Sequence, residues 1–264
     1  MTHLRFSLGA LALVACLFVG ILVFLELGRW LGLRRSAKNG AAAKTDVSVV
    51  SSAVYSVFAL LLGFTFAGAT ARFDDRRNLI IGEVNAISTA WQRTESLLPE
   101  PRARVRGQFQ RYVDALIDSY VNAAPVGSNK ASQQAAAVAT TMNDLWTGSM
   151  AAVLAPGGEP ARMLLLPSLN EMFDVVDRER FARRMHPPAV IWIMVGITAL
   201  AASLFAGYNM SNSATRNWLF MVLLAGTISV VTFVIVDIEY PRLGFVRVDS
   251  FDRELVRLRA SLDE

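Results

Sequence analysis

The sequence predicts an all-α, polytopic membrane protein with four transmembrane helices and a helical extramembrane domain between the second and third. Three observations carry that expectation. Of 264 residues, 53% are hydrophobic and 18% charged, against roughly 45–50% and 25% in ordinary soluble domains. Four long stretches, residues 6–25, 47–71, 185–215 and 218–236, contain no Asp, Glu, Lys or Arg. Elsewhere the apolar residues recur at helical spacing, and no stretch alternates as a strand would.

The four uncharged stretches are 20, 25, 31 and 19 residues long, and about 20 apolar residues suffice to cross the hydrocarbon core. The first follows His3 and Arg5. It exceeds the usual 7–15 residues of a signal-peptide core and lacks a small-x-small site at its end, directly before Glu26, so it reads as an uncleaved anchor. Four spans put both termini on one side. The segments are residues 1–72 for the first helix pair, 73–186 for the domain, 187–240 for the second pair and 241–264 for an amphipathic tail.

Residues 73–186 hold 13 acids and 13 bases, so the net charge of +4 lies wholly in the flanks of the spans. The isoelectric point of 9.6 therefore reports membrane-adjacent Arg and Lys, and no nucleic-acid partner is expected. Ile80, Val84, Ile87 and Trp91 form one helical stripe that continues from the second span. An unbroken helix over residues 47–97 would be about 75 Å long. Leu98-Pro99-Glu100-Pro101 ends it. Val105, Phe109, Tyr112, Leu116 and Tyr120 mark a second helix. An Ala-rich helix is expected over about 131–154 with Met142, Leu145 and Trp146. A Pro156-Gly157-Gly158-Glu159-Pro160 turn precedes a last helix expected from about Leu169 to Met185.

For orientation, bases near span ends were counted on each side. Eleven fall on the side of the domain and termini, and six on the other: Arg29, Arg34, Arg35, Lys38, Lys44 and Arg216. The total predicts a cytoplasmic domain and cytoplasmic termini.

No catalytic constellation emerges, so an enzyme is not expected. The single Cys16 excludes an intrachain disulfide, and two histidines do not make a His-rich metal site. Gly157-Gly158 reads as a turn rather than a phosphate loop, and Asp174 and Asp177 read as a solvated, salt-bridged face. No cofactor and no metal are expected.

The second span is the informative one. It mixes Gly63, Ala67, Gly68, Ala69 and Ala71 with Phe58, Phe64 and Phe66, and small residues let helices approach closely in lipid. Ser56, Leu60 and Phe64 share one face at i, i+4 and i+8. That spacing fits ordinary interhelical packing. It also fits a hydrophobic constriction that gates by dewetting, if copies of the helix surround an axis. At the domain-side boundary stand Arg72, Arg76, Asp237, Glu239 and Arg247. An ion pair between Asp237 or Glu239 and Arg72 or Arg76 would tie the second and fourth spans together. Pro241 and Gly244 would turn the chain and aim Arg247 toward the domain. Phe251, Leu255, Leu258 and Leu262 form a stripe for docking on the domain or on a neighbouring subunit.

Leu62-Gly63-Phe64 followed by Ala71-Arg72-Phe73 resembles the pore-lining second helix of the bestrophins. FDDRRNLIIGEVNAISTAW (73–91) and IEYPRLGFVRVD (238–249) resemble the bacterial bestrophin-like family of four-span proteins. The resemblance implies a homo-oligomer, a pentamer, in the bacterial inner membrane. It implies an anion-permeable channel, with chloride among the inorganic ions passed, and a pore lined by the second span. Ser56, Leu60 and Phe64 match its neck positions, with Ser56 departing from the bulky apolar pattern and Leu60 aliphatic where the pattern has an aromatic. Animal bestrophins carry an acidic calcium clasp after the fourth span. Here Asp237, Glu239, Asp249 and Asp252 are dispersed, so calcium gating is not expected. A non-conducting sensor or scaffold whose helical domain binds a partner is the competing expectation.

Overall fold

The computed structural model describes residues 2–39, 45–124, 127–211, 216–240 and 249–263. Eight α-helices occur among them: α1 Thr2–Asn39, α2 Thr45–Arg93, α3 Pro99–Val121, α4 Asn129–Leu154, α5 Glu159–Arg184, α6 Ala189–Met210, α7 Trp218–Glu239 and α8 Asp249–Ser261. The described residues contain no strand. Helices α1, α2, α6 and α7 are long and apolar enough to cross a membrane. The chain divides into two units, Met1–Phe73 with His186–Val246, and Asp74–Met185 with Arg247–Glu264.

The first unit is built around α1 and α6. Its core gathers Ile21 and Leu25 of α1, Phe58 of α2, Val195, Ala199 and Ala202 of α6, and Met221, Ala225 and Ile228 of α7. Lipid offers no hydrophobic drive to bring helices together, so association rests on close van der Waals contact at small residues. A Cβ on Gly28 would sit 1.9 Å from the carbonyl oxygen of Leu204, and one on Gly207 would sit 1.9 Å from that of Leu25. Gly32 meets the Ser211 side chain in the same way, at 2.4 Å. The two backbones therefore touch along a Gly28-xxx-Gly32 step. Asn209 of α6 donates to Ser51 Oγ of α2 at 3.3 Å.

The second unit is a helical cluster around Phe109, Tyr112, Leu116, Leu145, Leu165, Leu169 and Met172, all without exposed surface. The expected α3 stripe, Val105 through Tyr120, is buried throughout. Helix α2 ends in a single 3₁₀ turn, Thr94–Ser96, ahead of Pro99. The Ser128 side chain caps α4 by accepting from the Ala131 N–H at 3.1 Å. Gln134 is buried and links α4 to α3, donating to Asp118 Oδ2 at 2.8 Å and accepting from the Ala124 N–H at 3.1 Å. Helix α8 lays Leu255 into this core, joined by Leu262 just after its end, and Arg259 of α8 pairs with Asp114 at 2.6 Å.

One element differs from expectation. Helix α5 starts at Glu159, ten residues before the expected Leu169, and runs through Pro167. An interior proline costs a helix about 3 kcal/mol. Ala161, Leu165, Leu169 and Met172 nevertheless bury one continuous stripe across it, and that burial outweighs the local penalty. The turn before it depends on Gly157, whose φ of 82° suits glycine. Among the described residues of the uncharged third stretch, the helix starts at Ala189, because Pro187-Pro188 delays it.

Two outcomes follow from this packing. Gly28→Ala destabilises the detergent-solubilised protein by about 2 kcal/mol or more, because the new methyl meets backbone that cannot yield. Gly63→Ala, whose Cβ meets nothing within 4 Å, does not lower the melting temperature of the chain's own fold and raises it slightly, since an interior helical glycine costs about 0.5–1 kcal/mol relative to alanine.

Tyr112 is buried, and its hydroxyl has no hydrogen-bond partner among the described residues. Burial first, and then the Glu83 carboxylate, pushes that hydroxyl above the ordinary tyrosine range. The folded value thus lies above that of the unfolded chain, about 10. Stability is full below about pH 10 and declines as the pH rises toward the folded value. Tyr112→Phe melts at or above the parent at pH 7, and its stability declines less steeply above about pH 10.

Candidate functional site

The second span presents two faces. Ser51, Phe58, Thr65 and Ala69 are buried against the first unit. Ala53, Ser56, Val57, Leu60, Gly63, Phe64, Ala67 and Ala71 are exposed on the opposite face, with Leu60 at 60% and Phe64 at 69%. Ser56, Leu60 and Phe64 thus share a face that the chain's own packing leaves open. The Ser56 hydroxyl is turned to its own helix, donating to the Ser52 carbonyl at 2.9 Å. The Thr65 and Thr70 hydroxyls likewise donate back to Leu61 and Phe66. Such back-bonding leaves few hydroxyl protons to meet anything outside the helix.

That face is unlike the exposed faces of α6 and α7. There the outward residues are bulky and apolar: Val190, Ile193, Met194 and Ile197 on α6, and Leu219, Phe220, Leu223 and Val230 on α7. Bulky aliphatics suit a lipid surface, whereas small residues suit close approach by another helix.

At the end of this span Arg72 reaches Glu239, the last residue of α7. Its Nε donates to Oε1 and Oε2 at 3.2 and 3.0 Å, and its Nη2 to Oε2 at 2.7 Å. Glu239 has no exposed surface, and a buried carboxylate persists only with such a partner. Nδ1 of His186 lies 3.3 Å from Oε1 of Glu239, and its ring stacks on Tyr240 with centroids 4.6 Å apart. Asp237 is also buried, at 5% exposed. Arg247 lies outside the described residues, as do Pro241, Arg242 and Gly244.

Arg76, 6% exposed, belongs to the helical unit. Its guanidinium donates to the Ala182 carbonyl at 3.2 Å and the Met185 carbonyl at 2.8 Å. It thereby caps the C-terminal end of α5, where unsatisfied carbonyls and the helix dipole favour a cation.

A buried polar network in the helical unit was not anticipated. Glu83 of α2 and Glu179 of α5 are 1% and 2% exposed. The Tyr120 hydroxyl donates to Glu83 Oε1 at 2.9 Å and lies 3.5 Å from Glu179 Oε2. Arg183 pairs with Glu179 and lies over the Tyr120 ring, 4.0 Å from its centroid. Burial, then the two carboxylates, raises the Tyr120 hydroxyl well above its ordinary value. The spacing of Glu83 with Ile80 and Ile87, at i+3 and i−4 on a buried stripe, was the available signal. Among the described residues no three His, Cys, Asp or Glu gather as a metal site.

These features define a four-span membrane protein with a helical unit inserted between its second and third spans. Residues 10–250 match the model of the Bestrophin-like domain, and the chain belongs to that family. No curated protein matches the chain. Its fold is similar to that of two point variants of a bacterial bestrophin homolog from Klebsiella pneumoniae. One shares 14% identity at a TM-score of 0.63, covering 92% of this chain and 98% of that one. The other shares 15% at 0.62, covering 91% and 98%. A further solved membrane protein shares 13% identity at a TM-score of 0.58, covering 92% and 98%. At these identities the likeness is one of fold.

Removing Arg72 takes the bidentate arginine away from the buried Glu239. Arg72→Met is expected to destabilise the solubilised protein by about 3 kcal/mol. The double variant Arg72→Met/Glu239→Gln recovers a substantial part of that loss, measured as a double-mutant cycle of melting curves.

Proposed function

We propose that the protein is an oligomeric, anion-permeable ion channel in which copies of the second span line the pore. The observation that carries this reading is the open face of α2. It exposes Ser56, Leu60 and Phe64 among small residues, where α6 and α7 expose bulky aliphatics. Family membership and the shared fold support it. Around an axis, Leu60 and Phe64 from each copy would form an apolar neck that excludes water when narrow. Ser56, one turn before Leu60, would widen it. The Arg72–Glu239 pair would then hold the end of each pore helix against α7. A pentamer in a bacterial inner membrane, with the domain and termini cytoplasmic, is the arrangement we infer, with chloride as the natural first ion to test.

A second reading is a membrane sensor or scaffold that does not conduct. The feature that favours it is α2 itself, a single helix of 49 residues suited to transmitting a displacement along its length.

Purified protein in liposomes distinguishes the two readings. Phe64→Ala is expected to raise chloride flux severalfold by relieving the constriction, with Leu60→Ala acting in the same direction. Flux that is absent in the parent and in the Ser56, Leu60 and Phe64 variants favours the scaffold. The detergent-corrected mass of the complex is the companion measurement, since a monomer or dimer leaves α2 no axis to line.

A further inference from the structure

At the end of the four-helix unit where α1 finishes and α7 begins, two indoles stand in the open. Trp30 is 45% exposed and Trp218 is 49% exposed. Each carries a guanidinium on its ring: that of Arg34 lies 3.7 Å from the Trp30 centroid, and that of Arg216 lies 5.9 Å from the Trp218 centroid. Arg35 is exposed beside Arg34. Glu26 is the one acidic side chain described at this end, with Oε2 3.6 Å from Arg216 Nη2. By sequence this end carries Arg29, Arg34, Arg35, Lys38, Lys44 and Arg216 against Glu26 and Asp46, an excess of positive charge. Arg29 is buried within the unit.

Depth decides what this surface faces. The first uncharged stretch ends at Leu25, so Trp30 lies about 7 Å further along the helix axis and Arg34 about 13 Å. The headgroup layer occupies roughly the 5–8 Å outside the hydrocarbon core. Helical side chains lean toward the N-terminus, which brings the Arg34 guanidinium back over Trp30 and down toward that layer. Trp218 opens the fourth uncharged stretch and so stands at the core boundary on α7, about one helical turn deeper than Trp30. Immediately on the core side of the indoles are exposed Leu27 on α1 and Leu219 and Phe220 on α7. The surface is therefore cationic at its rim and apolar directly beneath, with amphipathic rings between. A soluble anion would use only the rim.

We propose that this end of the unit binds anionic phospholipid headgroups. Arg34 and Arg35 hold the phosphate, Arg216 adds a weaker contact, and Trp30 and Trp218 fix the depth of the glycerol region. The acyl chains lie on the leucines and Phe220 below. This inference is independent of ion conduction and is tested without it.

The test is native mass spectrometry of the full-length protein released from micelles containing equimolar phosphatidylglycerol and phosphatidylcholine. The parent is expected to retain phosphatidylglycerol over phosphatidylcholine by about tenfold. Arg34→Gln/Arg35→Gln is expected to bring the ratio close to one. Arg104→Gln, an exposed arginine of the helical unit, should leave it unchanged. Arg34→Lys/Arg35→Lys keeps the charge and should retain most of the preference, and a melting curve for each variant shows that it is folded. Equal retention of the two lipids by the parent overturns the proposal. So does a preference that survives Arg34→Gln/Arg35→Gln in folded protein. Displacement of phosphatidylglycerol by millimolar inorganic phosphate, with the same arginine dependence, assigns the site to a free anion and also overturns it.

Discussion

The membrane unit depends on one contact, the backbone-to-backbone approach of α1 and α6. Water provides no squeezing force inside lipid, so two helices stay together only if their surfaces fit at atomic distance. Gly28 and Gly207 supply that fit from opposite partners, each filling a place where any Cβ would collide with a carbonyl of the other helix. With α1 and α6 joined, Met221, Ala225 and Ile228 of α7 complete a small core with Ile21 and Leu25. Helix α2 contributes Phe58 to that core and keeps the opposite face free.

Charge is handled by pairing. Glu239 and Glu179 have almost no exposed surface, and each accepts from an arginine in the same unit, Arg72 and Arg183 respectively. Desolvating a carboxylate costs several kcal/mol unless such a partner is present. Bidentate arginine meets that requirement better than lysine because its planar fork fixes the carboxylate plane as well as its charge. Arg76 solves the complementary problem, satisfying carbonyls that the end of α5 leaves open.

The outward surfaces divide by side-chain size. Bulky apolar residues dominate the exposed faces of α6 and α7, the open face of α2 mixes small residues with Val57, Leu60 and Phe64, and Trp30 with Trp218 accompany arginines at one end. Each composition suits a different neighbour: acyl chains, another helix, and headgroups. The proposed pore and the proposed lipid site rest on different surfaces of the same unit, and neither needs the other.

The four spans, the helical insert and the apolar stripe of α3 were legible in the sequence because charge exclusion and helical periodicity are local patterns. That Ser56, Leu60 and Phe64 share one helix face was legible in the same way. Which arginine meets which carboxylate was not, since Arg72 and Glu239 are separated by 167 positions and only folding sets their distance. The start of α5 was misplaced because Pro167 is a local stop signal that distant burial of Ala161 and Leu165 overrules. Glu83 was passed over because its acidic character reads as surface until Tyr120 is brought to it from another helix. By itself the sequence determined where helices run and which of their faces are apolar. The tertiary structure decided which faces are consumed within the chain and which stay open, because that depends on how closely two backbones can approach.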